Sequence, residues 1–358
     1  MTKASVLDFG KINGALAQKY RNMNMRIQTL RGLACLLLVL YHVVGADPSL
    51  GLRVQDGAVR WFNDGLAYLR MPLFTFLSGL VYGLRPFAGN SRAFLQGKVR
   101  RLLIPMLVVG TAFAVLQVLT PGTHSSVGPW YLLHLQPVAH FWFVESLFWV
   151  FVVIWALERQ HLISGMKGLL LVLALSCALY LSVSGWHWLS LDGAIYLMPY
   201  FLTGLLCSRF RLERHLANPW IRLALLALAL AAAVSMGMPV PNAERRTVAM
   251  LLTGMSLCLL CLGCGLVLPW LARIGRHSYA IYLFHVFFTA ATRLALHRIG
   301  IDLLALDLLP GLLLGLAGPM LIERLAGGFK WPALLLLGRS AKADKPAQTA
   351  TEPLVLAR

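Results

Sequence analysis

Charge is what this chain has least of. Only 13% of its 358 residues are Asp, Glu, Lys or Arg, about half the share of an ordinary soluble domain, and acids number just 14. So few charges cannot cover a water-soluble surface of this size, and a soluble globular protein is excluded. The six cysteines (Cys35, Cys177, Cys207, Cys258, Cys261, Cys264) all fall within or at the ends of apolar runs, which argues against disulfides between loops. On a helix, Cys258-x-x-Cys261-x-x-Cys264 spreads around the surface, where small residues suit packing better than they suit a metal cluster. The first apolar run has no small-residue cleavage site after it and reads as a retained anchor. An inverted internal repeat of the kind common in transporters is also lacking.

What is present is hydrophobic length, with 58% apolar residues. A spanning helix needs about 20 mostly apolar residues. Runs at 29–46, 61–84, 99–119, 140–157, 168–184, 189–207, 220–238, 247–268, 278–297 and 303–322 predict an all-α, polytopic membrane protein with about ten transmembrane helices. The formal charge of +18 reads as topology rather than nucleic-acid binding, because the basic residues sit in short loops. With the N-terminus in the cytoplasm, 25 of the 32 Lys and Arg residues fall on the inner side and six on the outer, with Arg70 inside the second run. This asymmetry places both termini in the cytoplasm. It divides the chain into an N-terminal tail (1–28), a membrane domain (29–323) and a C-terminal tail (324–358) that is small, polar and expected to be partly disordered. Residues 120–139 hold no Lys or Arg and form an outer loop able to fold back over a cavity. Gly79-x-x-x-Gly83 and Gly311-x-x-x-Gly315 read as helix-packing pairs.

Ionisable residues inside apolar runs are functional candidates, because burying them in a bilayer is costly. Arg31 and His42 open the first run. Eleven helical steps bring His42 back to within about 20° of Arg31, about 16 Å further along the axis. His42 is either a packed histidine or a general base, since imidazole titrates where a hydroxyl must be activated. Glu145 is the one carboxylate in the fourth run, a candidate to orient His42, to pair with Arg70 or to bind a sugar hydroxyl. Lys98 and Arg101, three apart at a helix start, are either topological anchors or phosphate ligands. Ser278, Tyr282 and His285 are either a packed polar cluster or part of a substrate cavity. His124, His134 and His140 have no standard metal spacing, so no metal is expected.

Five segments in order resemble the acyltransferase 3 family of integral membrane acyltransferases. Ile27–Ala34 through Tyr41-His42 is similar to its first-helix signature, an Arg and a His with ten residues between them. Met71–Gly79 is similar to its second-helix segment ending in Ser-Gly. Lys98-Val-Arg-Arg101 before Pro105 resembles its basic pair, with Lys98 where Arg is usual, and His140–Phe148 resembles its aromatic fourth helix. Ser278-Tyr-Ala-Ile-Tyr-Leu-Phe-His285 is similar to its late motif. Arg70 stands where a His is common in relatives.

The resemblance implies an O-acyltransferase of the surface-polysaccharide type in a bacterial inner membrane. It would move an acyl group, usually acetyl, from acyl-CoA as co-substrate, with no bound cofactor, to a hydroxyl of a glycan or lipid-linked saccharide. His42 would be the base or, alternatively, carry a transient acyl group. Arg31, Lys98 and Arg101 would hold the CoA phosphates, and His285, Tyr282, Ser278 and Arg70 would lie on the acceptor side. Many relatives carry a fused hydrolase-like domain. Here direct transfer or hand-over to a separate polysaccharide-biosynthesis partner is expected instead. Membrane lipids complete the expected partners, and nucleic acid is not among them. The competing classes are a transporter or flippase for a lipid-linked sugar or small molecule, and a non-catalytic membrane scaffold.

Overall fold

The computed structural model describes residues 3–46, 48–55, 57–120, 128–136, 138–235, 246–300 and 304–339. In chain order its helices are α1 (Lys3–Val44), α2 (Ala58–Gly65), α3 (Ala67–Leu84), α4 (Ser91–Lys98), α5 (Ile104–Leu119), α6 (Trp142–Arg159), α7 (Met166–Ser182) and α8 (Leu191–Arg209). There follow α9 (Glu213–Leu216), α10 (Pro219–Ser235), α11 (Val248–Gly263), α12 (Pro269–Arg276), α13 (Ser278–Arg298), α14 (Leu304–Gly327) and α15 (Lys330–Leu337). Among the described residues there is no β-strand. A helix stands at each of the ten expected positions. Six segments are long and apolar enough to cross a bilayer: Arg21–Val44, Ser91–Leu119, Ala139–Arg159, Trp188–Arg209, Ser278–Arg298 and Asp307–Gly327. The apolar helices α7, α10 and α11 are shorter, at 16 or 17 residues.

Local chemistry sets many of the boundaries. The Asn90 side chain accepts from Ala93 N to cap α4, and the Thr247 hydroxyl does the same for α11 from Met250 N; each supplies an acceptor to an otherwise orphaned helix N–H. Pro105 and Pro269 open α5 and α12, where the missing N–H costs nothing. The expected helix 61–84 is instead two, broken at Leu66. Its first half, α2, is amphipathic in an unusual sense: Arg60 and Asn63 are buried while Trp61 and Phe62 are exposed. Between α4 and α5 the chain makes one π-helical turn, Val99–Leu103.

The helices pack backbone to backbone. A Cβ on Gly79 would sit 1.9 Å from the Phe201 carbonyl oxygen, and one on Gly204 2.0 Å from that of Phe76, so α3 and α8 cross where neither has a side chain. Such close approach is how helices associate where lipid removes the hydrophobic drive. The same device joins α1 to α12, with Gly32 against the Leu271 carbonyl and Gly275 against that of Gln28. On α14, Gly311 and Gly315 receive Val43 and Val39 of α1. Outward faces are apolar, as at Leu119, Leu171 and Val234.

Exposed aromatics mark both ends of the bundle. Trp61, Tyr131, Trp186 and Trp188 lie at the end formed by Gly45, Leu50, Leu52 and residues 183–190, the Gly45 end. Trp220, Trp270 and Trp331 lie at the other, the Arg31 end. Paired aromatic belts are the mark of two membrane–water interfaces. At the Gly45 end residues 128–136 fold back on the bundle. His134 Nε2 lies 2.9 Å from the Thr111 hydroxyl, and Leu189 N donates to Leu135 O. Burial there holds the His134 imidazole below its ordinary pKa.

Candidate active site

A cavity of about 1400 Å³ opens at the Gly45 end and runs down to His42. That is larger than a typical drug-sized pocket of about 300–1,000 Å³. Leu38, Tyr41 and His42 of α1 line it together with Arg70 and Met71 of α3, His140 and Trp142 at the start of α6, and Tyr282 of α13. The loop before α8 contributes His187 and Ser190, and Asp192 and Tyr196 follow on that helix.

At the base of the cavity three imidazoles meet. The His42 ring centroid is 4.7 Å from His285 and 5.7 Å from His140, and those two are 5.0 Å apart. His285 is fully buried, and its Nδ1 lies 2.8 Å from Ile281 O and 2.9 Å from Tyr282 O, on the preceding turn of its own helix. A ring nitrogen between two carbonyl oxygens carries the proton, so Nε2 is left as the lone-pair nitrogen. It has no hydrogen-bond partner among the described residues. Neither ring nitrogen of His140 makes a well-formed hydrogen bond, while its main-chain oxygen accepts from the Tyr282 hydroxyl. His42 faces the cavity, its ring edge-on to Tyr41 at 5.0 Å. The arrangement offers a nitrogen base, with other imidazoles in support, at the floor of a pocket able to hold a saccharide. Among the described residues no group of His, Cys, Asp or Glu is placed to hold a metal ion.

The structure thus brings His42, His285, Tyr282 and Arg70 to one place and adds His140, which sequence reasoning placed with the outer histidines. Its signal was faint: it begins the aromatic fourth helix, 98 residues after His42. Glu145 meets neither His42 nor Arg70. Its carboxylate accepts the hydroxyl of Ser190, and the Ser146 hydroxyl donates to Ser190 O at 2.8 Å. Leu189 and Ser190 both have left-handed backbone (φ 53° and 51°), a conformation that costs a side-chain-bearing residue energy unless its surroundings hold it. Glu145 therefore pins the strained turn at the rim of the cavity. Arg70 gives its guanidinium to Asn63 instead of a carboxylate.

Arg31, Lys98, Arg101 and Ser278 belong to the opposite end. Arg31 lies beside Cys35, one turn on in α1, and does not line the cavity. Lys98 is half-buried with Nζ 3.3 Å from the Phe151 ring centroid and 5.1 Å from that of Phe94. Arg101, beyond the start of the π turn, is exposed, and its carbonyl accepts from the Tyr279 hydroxyl. Ser278 begins α13, seven residues before His285, about 10 Å along the axis.

An all-helical bundle with apolar outer faces, aromatic belts and an ionisable cluster at the floor of a deep cavity defines a multi-pass membrane protein with a built internal site. The acyltransferase-domain model of the acyltransferase 3 family matches residues 25–324, nearly the whole chain. The protein belongs to that family and is an acyltransferase. No curated protein and no solved structure matches it.

Proposed function

We propose that this protein is an O-acyltransferase of a bacterial inner membrane that moves an acyl group, acetyl in the simplest case, from acyl-CoA to a hydroxyl of a cell-surface or lipid-linked saccharide. The observation that carries the reading is the placement of His42. It lies near the C-terminal end of α1, eleven residues after Arg31 on the same helix, and it is the floor of a cavity wide enough for a sugar. The Arg31 end takes the cytoplasmic side, where CoA is made and where Arg31, Lys98 and Arg101 offer cations to its phosphates. The Gly45 end faces outward and receives the acceptor, with Tyr282 and Arg70 around it and His285 behind His42.

His42 accepts the proton of the acceptor hydroxyl as its oxygen attacks the thioester carbonyl. The tetrahedral intermediate collapses to the ester, the carbon–sulfur bond breaks, and the imidazolium returns the proton to the CoA thiolate. His285 and His140 hold the His42 ring by packing on it. Removing a general base typically costs about 10²–10⁴ in rate. His42→Ala is therefore expected to lower transfer of labelled acetyl from acetyl-CoA by at least about 100-fold in membrane vesicles, with the protein still folded by thermal unfolding. Acyl transfer that persists in folded His42→Ala would remove the assignment, and saccharide movement without any acylation would favour a transporter.

A further inference from the structure

Four guanidinium groups line the cavity, and three of them are tied to its walls. Arg60 lies 3.5 Å from Asp64 and donates to the carbonyls of Gly45 and Val54. Arg246 pairs with Asp192 and donates to Val183 O, with the Tyr180 and Tyr196 rings 5.7 and 5.8 Å away. Arg293 donates to Gly51 O at 3.1 Å.

Arg70 is different. It is 5% exposed, and among the described residues it forms no ion pair. Its Nη2 donates to the main-chain and side-chain oxygens of Asn63, which are neutral, and Nε has no acceptor. Among the described residues the carboxylate nearest to it, Asp64, is engaged by Arg60 and, at 3.2 Å, by the Asn63 amide. A guanidinium does not shed its proton, and a buried charge without a counter-ion is unfavourable until an anion joins it. Its guanidinium carbon lies over the Tyr41 ring, 4.3 Å from the centroid, and the His42 ring is 5.0 Å from that same ring. An anion held by Arg70 therefore sits one side chain away from the base.

We propose that Arg70 is a specificity determinant for an acceptor saccharide carrying a negative substituent, a carboxylate or a phosphate, held beside the hydroxyl presented to His42. Its place in catalysis rests on the acyl-transfer reading above; the anion site itself does not. A planar fork suits either oxyanion. A neutral sugar leaves the charge uncompensated, and truncating one partner of a buried charge pair commonly weakens binding by about 30-fold or more.

The test uses the full chain in nanodiscs, titrated with D-glucuronate, glucose 1-phosphate and D-glucose. The anionic sugars are expected to bind and raise the unfolding temperature while glucose does not. Arg70→Gln is expected to weaken anion binding at least about 30-fold, Arg70→Lys to restore part of it, and Arg92→Gln, an exposed change on α4 at the opposite end, to keep it. Equal binding of glucose and glucuronate, or an equal loss in Arg92→Gln, overturns the proposal. So does a folded Arg70→Lys and Arg70→Gln pair that keep the preference. Nanodiscs with and without phosphatidylglycerol should give the same titration; competition by the lipid assigns the anion to a headgroup and overturns the saccharide. In the acylation assay, Arg70→Gln should raise KM for glucuronate-bearing acceptors more than it lowers kcat. Arg70-dependent binding without any acyl transfer leaves the anion site standing and removes the acyl-transfer reading. Acyl transfer indifferent to acceptor charge does the reverse.

Discussion

Glu145 shows what one residue does when its partner lies far away in sequence. As the sole carboxylate in an apolar run it stood out from sequence alone, as did His42, His285 and Arg70, because charge inside a membrane helix is costly whatever its role. Its partner was not legible: Ser190 is 45 residues on and belongs to a left-handed turn that no hydropathy pattern announces. His140 was missed for a related reason, since it begins a helix among aromatics and joins His42 only through the tertiary fold. The pinning role predicts a coupling. Glu145→Ala should cost about 1–3 kcal/mol, as for an orphaned buried hydroxyl. In a Ser190→Gly background the cost should fall to less than half, because glycine holds φ near 51° without help. Chemical unfolding of the single and double variants in detergent measures it, and additive losses would contradict the pinning role.

At the scale of elements, the ten apolar runs located helices reliably, because only a helix satisfies its own backbone in lipid. What window averaging could not see were the interruptions: the break at Leu66, the π turn at Val99–Leu103 and the short amphipathic helix α12. Each is shorter than the window or buried within it. The small-residue pairs were legible, and their geometry separates two glycines that look alike in sequence. Gly79→Ala is expected to destabilise by at least about 1–3 kcal/mol, because its methyl would meet unyielding backbone, the Phe201 carbonyl and Leu205 N. Gly97→Ala in α4, with no atom within 4 Å of the new methyl, should be neutral or stabilise by up to about 1 kcal/mol. Thermal unfolding of the two variants side by side checks the contrast, and equal behaviour would argue against the α3–α8 crossing.

On the scale of the whole molecule, the proposed orientation puts the Arg31 end in the cytoplasm, as the excess of cations there favours. In a cysteine-free background, Trp186→Cys should react with a membrane-impermeant thiol reagent in intact cells, and Asn218→Cys only after permeabilisation. The opposite pattern would reverse the proposed orientation. Both ends are joined by α1, which runs unbroken from Arg31 to His42 and is wedged by α12 at Gly32 and by α14 at Val39 and Val43. A helix so clamped neither stretches nor slides, so it acts as a ruler of about 16 Å. On the acyl-transfer reading, a donor is selected by the length of its arm as much as by its acyl group. A thioester stripped of its nucleotide still fits the imidazole but has nothing to hold it at the far mark.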